Sequence, residues 1–148
     1  MNERYGILAW IFPPVVDGRG AIGLLLLRLV AGAAFLMHGS GKIQTPFSWM
    51  PPESGVPGVV QALAAVSEFL GGGLGWIAGF LTPLASLGVL ATMTVAILFH
   101  VGRGDPFVGT GGPSFELALV YWSMALLMLL IGPGRYSLDA QLFRRRDS

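Results

Sequence analysis

The feature that most constrains this chain is its apolar runs, which recur at membrane-spanning length. They cover roughly Gly20 to His38, Val56 to Phe80, Pro83 to Val101 and Phe115 to Gly132. A helix needs ~20 apolar residues to cross a hydrocarbon core of ~30 Å, and each run approaches or exceeds that length. In such a solvent every backbone N–H and C=O must be satisfied within the segment, so the runs are read as helices. Only 11% of the 148 residues are charged, against roughly 25% in an ordinary soluble domain. The expected fold class is therefore all-α: a polytopic membrane protein with a four-transmembrane-helix bundle. Pro83 suits the first turn of a helix, where its missing N–H is harmless. The connection Leu81-Thr82 is short enough to make the second and third spans an antiparallel hairpin.

Three regions follow. Residues 1–19 form an N-terminal interfacial segment, in which Tyr5, Trp10 and Phe12 surround a short apolar stretch stopped by Pro13-Pro14. This stretch is too short and too interrupted for a cleavable signal peptide. Residues 20–140 form the membrane domain, and 141–148 a basic tail. Basic residues orient the bundle. Arg4, Arg19, Arg135, Arg144, Arg145 and Arg146 lie on the side of the termini, and Lys42 and Arg103 on the other. Both termini are thus expected in the cytoplasm, with the chain in a bacterial or archaeal cell membrane. A net charge of +1 gives no field for nucleic acid. The absence of cysteine removes disulfides, thiolate metal sites and cysteine-ligated iron–sulfur clusters.

Ionisable groups within lipid cost about 2.5–3.5 kcal/mol each on insertion scales, so each needs compensation. Residue counting puts Arg28 and Glu68 at depths that a long arginine can bridge, and an Arg28–Glu68 pair is expected. It reads either as a staple between two helices or as a proton-linked carboxylate beside a substrate pocket. Gly71, Gly75 and Gly79 recur every four residues and permit close helix approach. That face suits bundle packing, a dimer interface or a pocket for a flat ligand. The loop from Ser40 to Gly55, with Trp49 and Met50, is long enough to pack over the outer end of the bundle.

The outer rim holds the chemistry-bearing residues. Span one ends at His38, span three at His100, and span four begins with Glu116 in its first turn; Lys42, Arg103 and Asp105 lie just beyond. Helix ends tolerate polar residues on dipole grounds alone. A quinone head group would also suit such a rim. Its carbonyl oxygens need donors, and histidine titrates near neutrality. His38, His100 and Glu116 are the catalytic candidates; Lys42, Arg28, Glu68 and Arg103 are the substrate-binding candidates. Two histidines and a carboxylate could also form a metal triad, but the ligands lie on separate helices with no local spacing motif, so no metal is assigned.

The HGxxK element (His38, Gly39, Lys42), the Glu68–Gly72 element and the GPGRYSLD stretch from Gly132 to Asp139 resemble the DoxX family of small bacterial and archaeal membrane proteins. The likeness covers about residues 20 to 140. It implies a four-helix bundle associated with quinone-linked redox systems, with Arg28, His38, Lys42, Glu68, Glu116, Arg135 and Asp139 at matching places. The expected function is a small membrane subunit of a quinone-linked oxidoreductase or respiratory-type complex. Membrane lipids, other subunits and quinone would be its partners. The alternative is a non-catalytic accessory subunit that stabilises a larger complex. A transporter ranks behind both, because four short helices with one ion pair offer little pathway.

Overall fold

A computed structural model describes residues 15–143, and among these the secondary structure is helical. Helix α1 spans Gly18–Lys42, α2 Gly58–Ala78, α3 Thr82–Gly102, α4 Glu116–Ile131 and the short α5 Leu138–Leu142. The first three are long and apolar enough to cross a membrane. The fourth is apolar but has 16 residues, about 24 Å of helix, just short of the hydrocarbon thickness. The expected interfacial segment up to residue 14 and the arginines at 144–146 lie outside the described residues.

Helix α1 extends beyond its expected limits at both ends. The Asp17 carboxylate accepts from Gly18 N at its start, and Ile43 N donates to Gly39 O at its end. Lys42 is therefore the last helical residue, rather than part of the loop. Helix α2 is not a uniform α-helix. Residues Ser67–Gly75 are π-helical, flanked by α-helical Gly58–Val66 and Trp76–Ala78. Glycine disfavours a regular helix, and the wider π turn changes which side chains share a face.

The glycines of this segment serve packing within the bundle, on two faces instead of the single one expected. A Cβ on Gly72 would stand 2.7 Å from Phe35 Cγ, and one on Gly73 would stand 2.6 Å from Leu36 Cδ2. Gly71 and Gly75 instead face Ala85 of α3. The core so formed joins Leu24, Ala31 and Phe35 with Trp76, Val89, Met93, Ala125 and Met128. Trp76 is fully buried, meets Phe35 edge-on at 5.5 Å and donates its indole N–H to Ser86 Oγ. Large apolar side chains such as Val30, Met37, Leu84 and Leu98 point outward, as lipid-facing positions do.

The hairpin between α2 and α3 is tight, as expected. Gly79 adopts a left-handed φ of 62° and Leu81 a φ of 48°. The carboxylate of Asp139 accepts from Leu81 N and Thr82 N, both at 2.8 Å, so the start of α3 is capped from the far end of the chain. Arg28 corrects an expectation here. It does not pair with Glu68. Its guanidinium, 1% exposed, donates to the carbonyls of Trp76 (2.8 Å), Ile77 (3.2 Å), Pro133 (2.6 Å) and Tyr136 (2.9 Å). The reason is axial register: Arg28 is level with Trp76, eight residues or about 12 Å of helix from Glu68. Carbonyls from the end of α2 and from the 133–136 stretch converge there, and a planar fork of five N–H donors suits several of them at once.

Candidate functional site

The opposite end of the bundle is built around Lys42 and Glu68. The Lys42 ammonium donates to both carboxylate oxygens of Glu68 at 2.7 Å. Glu68 is 3% exposed, so its charge is compensated almost wholly by this contact. The Trp49 ring covers the other side of the ammonium, 4.4 Å from Nζ to the ring centroid. Lys42 reaches Glu68 because α1 keeps its helix through residue 42, and because Gly39 lets α2 approach: a Cβ there would lie 2.9 Å from the Phe69 backbone nitrogen.

A cavity of about 560 Å³ opens beside this pair, between α2 and α3. Its walls are apolar, including Val60, Leu63, Ala91, Val95 and Phe99, and its polar groups are Lys42, Glu68, Ser67, Thr92 and His100. Trp49 and Met50 from the loop over residues 43–57 also line it, as a cover of the expected kind. Gln61, a buried side-chain amide in the apolar helix α2, fastens that cover. Its side-chain amide donates to Val56 O, its side-chain oxygen accepts from Met50 N, and its backbone oxygen accepts from the Trp49 indole, each at 2.9 Å.

His100 stands at the end of α3, where the local sequence HVGRGD turns the chain back. Gly104 has a left-handed φ of 76°, and Asp105 N donates to His100 O. This return places Asp105 Oδ2 2.7 Å from His100 Nδ1. A carboxylate accepts, so Nδ1 carries the proton, and in the neutral ring Nε2 remains available to a ligand. Arg103 Nε lies 3.8 Å from the same carboxylate, with the guanidinium over Phe99 at 5.4 Å.

The expected convergence of His38, His100 and Glu116 is not what the structure shows. His100 lines the cavity, but His38 and Glu116 are exposed and are not among its lining residues. The His38 ring lies edge-on to Tyr121 of α4 at 6.4 Å, on the seam between α1 and α4. Among the described residues, no three His, Asp or Glu side chains come together as a metal-binding group. Residue counting gives an expected depth; it does not give position around the bundle. Of the expected binding residues, Lys42 and Glu68 line the cavity, Arg103 supports its rim, and Arg28 belongs to the opposite end. Trp49, Gln61, Ser67 and Thr92 were not singled out for the site. Only Gln61 carried a usable sequence signal, as a lone amide in an apolar run.

At the Arg28 end, Arg135 Nη1 meets the Asp17 carboxylate at 2.8 Å, and this exposed contact raises the arginine pKa above its ordinary value. Asp139 turns away to cap α3, so the two charges of the GPGRYSLD stretch serve different contacts.

Comparison with known proteins agrees with this architecture. Inner membrane protein YqjF of Escherichia coli is 33% identical over 84% of this chain and 95% of its own length. An uncharacterized protein of Haemophilus influenzae is 32% identical over 82% of this chain and 92% of its own. An uncharacterized membrane protein of Mycobacterium tuberculosis is 28% identical over 95% and 93%. No solved structure gives a significant match. The DoxX family model matches residues 23–102, a stretch that contains the α1–α2 ion pair, the π-helical glycines and His100, and the chain belongs to the DoxX family.

Proposed function

We propose that this chain is a membrane subunit of a quinone-linked oxidoreductase and that it holds a quinone head group in the cavity between α2 and α3. The carrying observation is the cavity's composition: apolar walls that carry the Lys42–Glu68 pair and His100, whose Nδ1 is held by Asp105. A flat ring with two carbonyl oxygens needs just such an apolar slot with a few convergent donors. Lys42 Nζ, His100 Nε2 and the hydroxyls of Ser67 and Thr92 are suitable donors, so the residues fit the group. A bound quinone would supply two-electron redox chemistry. The electrons must come from another subunit or a small reductant, because the chain has no cysteine and no cofactor motif. Lys42 would orient one carbonyl. His100 would exchange a proton at Nε2, with Asp105 stabilising the charged ring.

The basic-residue bias supports an orientation with both termini in the cytoplasm, so the cavity would open near the outer face. The inner-membrane designation of the Escherichia coli relative supports the same membrane for this chain. A second reading, a non-catalytic accessory subunit, is favoured by the placement of His38 and Glu116 outside the cavity.

The test is fluorescence titration of the protein in lipid nanodiscs with a ubiquinone or menaquinone. Quinones quench indole emission, and Trp49 is the tryptophan that lines the cavity. Saturable quenching that is largely lost in Trp49→Phe supports the head-group site. Linear, non-saturating quenching that is the same in Trp49→Phe overturns it and leaves the accessory reading.

A further inference from the structure

The cavity has two faces toward its surroundings, and they are unlike. The face toward the loop is closed. Trp49 and Met50 lie over it, and two hydrogen bonds to the single residue Gln61 fasten them to the first turns of α2, while the Gln61 amide donates a third to Val56 O. Lys42 sits beneath the Trp49 ring, so cover and polar floor are in direct contact. The face between α2 and α3 is open. Its lining residues Val60, Leu63 and Val95 are 37%, 63% and 50% exposed, and all three are apolar. These helices cross the membrane, so this open face meets lipid chains rather than water.

From this asymmetry we infer that the cavity takes its ligand sideways from the bilayer, and that the ligand carries a long apolar, polyisoprenoid-type tail that leaves between α2 and α3 past Ala91 and Val95. The inference rests on the head-group reading above and adds the route and the tail. The polar groups define one end of the ligand: Lys42 and His100 stand at the ends of α1 and α3, and Glu68, midway along α2, is tied to Lys42. The open, mainly apolar side defines the other. A water-soluble ligand would have to displace the Gln61-fastened cover, whereas a lipid-dissolved one would not. Gly88 packs against Ser67, where an added Cβ would lie 2.9 Å from the hydroxyl oxygen, and the small side chain of Ala91 leaves the neighbouring wall open. Tail burial there would contribute through apolar contact alone, with no polar partner required.

The test compares a quinone bearing a polyisoprenoid tail with a tailless benzoquinone, each titrated into nanodiscs by quenching of Trp49, with concentrations expressed per lipid. Ala91→Phe and Val95→Phe place a ring in the lateral opening, and Val30→Phe, on a lipid-facing position away from the cavity, is the control. The expected result is about tenfold weaker binding of the tailed quinone to both opening variants, with the tailless compound and the control changed less than about twofold. Equal binding of the tailed quinone to wild type and both variants overturns the lateral route while the head-group site stands. Equal weakening of both compounds also overturns it, since the ring would then obstruct the head. If neither compound quenches wild type saturably, the head-group site and the lateral route fall together.

Discussion

Lys42 and Glu68, 26 positions apart in sequence, form a two-oxygen ion pair at 2.7 Å that joins the end of α1 to the π-helical segment of α2. Removing either partner strands the other charge in a setting of low polarity. Lys42→Met and Glu68→Gln are each expected to destabilise the protein by roughly 2–4 kcal/mol, the lower part of the range applying because Lys42 is part-exposed. The double variant should lose less than the sum. Thermal unfolding in detergent, arranged as a double-mutant cycle, measures the coupling. Additive losses would show that the pair contributes nothing beyond its separate residues.

Arg28 donates to four carbonyls from two parts of the chain, the end of α2 and the GPGRYSLD stretch. Lysine has a single donor head and no fork, so Arg28→Lys should leave some of these oxygens unpaired. Leaving a buried acceptor unsatisfied costs about 1–3 kcal/mol, so Arg28→Ala is expected to lower stability by roughly 3 kcal/mol or more, with Arg28→Lys in between. Monodisperse yield on size-exclusion chromatography and the unfolding midpoint provide the ranking. Wild-type behaviour of Arg28→Ala would contradict this account.

Asp139 caps α3 through two backbone N–H groups. Asp139→Ala removes both acceptors, with an expected cost of about 1–2 kcal/mol by analogy with N-cap deletions. Faster amide hydrogen exchange at Leu81 and Thr82, with little change at mid-helix amides of α3, is the local signature to measure.

Gly72 has no room for a side chain against Phe35 and Val89. Gly72→Ala must displace the Phe35 ring and is expected to cost about 1–3 kcal/mol as an overpacked core substitution. Gly23→Ala, where nothing lies within 4 Å of the added Cβ, should instead be neutral or slightly stabilising. Unfolding midpoints of the two variants should differ in sign or clearly in size.

His100 and His38 separate the cavity from the rest of the rim. Quinone affinity measured by Trp49 quenching should fall about tenfold in His100→Ala, the loss of one good polar contact. In His38→Ala it should not change, because that ring contacts Tyr121 on another seam. Loss in His38→Ala alone would relocate the site to the α1–α4 side.

The apolar runs locate α1, α2 and α3 to within a few residues, and Pro83 and the short connection foretell the hairpin. The resemblance to DoxX proteins pointed to Lys42 and Glu68. Their partnership was not legible. Counting residues at one rise per step put Glu68 within reach of a long Arg28 side chain, and a strict four-residue period put Gly71, Gly75 and Gly79 on one face. The π-helical turns of Ser67–Gly75 break that periodicity, and no local residue pattern announces them. Gln61 could have been noticed as a polar intruder, but its three contacts depend on how the loop folds back.

What the sequence alone determined is that these residues form apolar helices in a bilayer with their ionisable groups gathered toward the ends. Transfer from water to lipid is close to a sum over residues, so it can be read along the chain. What only the tertiary structure decided is which charge meets which. Arg28 finds carbonyls, Lys42 finds Glu68, and His100 and His38 part company, because ion pairing falls off over a few ångströms and depends on the rotation and axial register of each helix. Those are set by contacts such as Gly72 against Phe35 and Gly39 against Phe69, which exist only once the helices have packed.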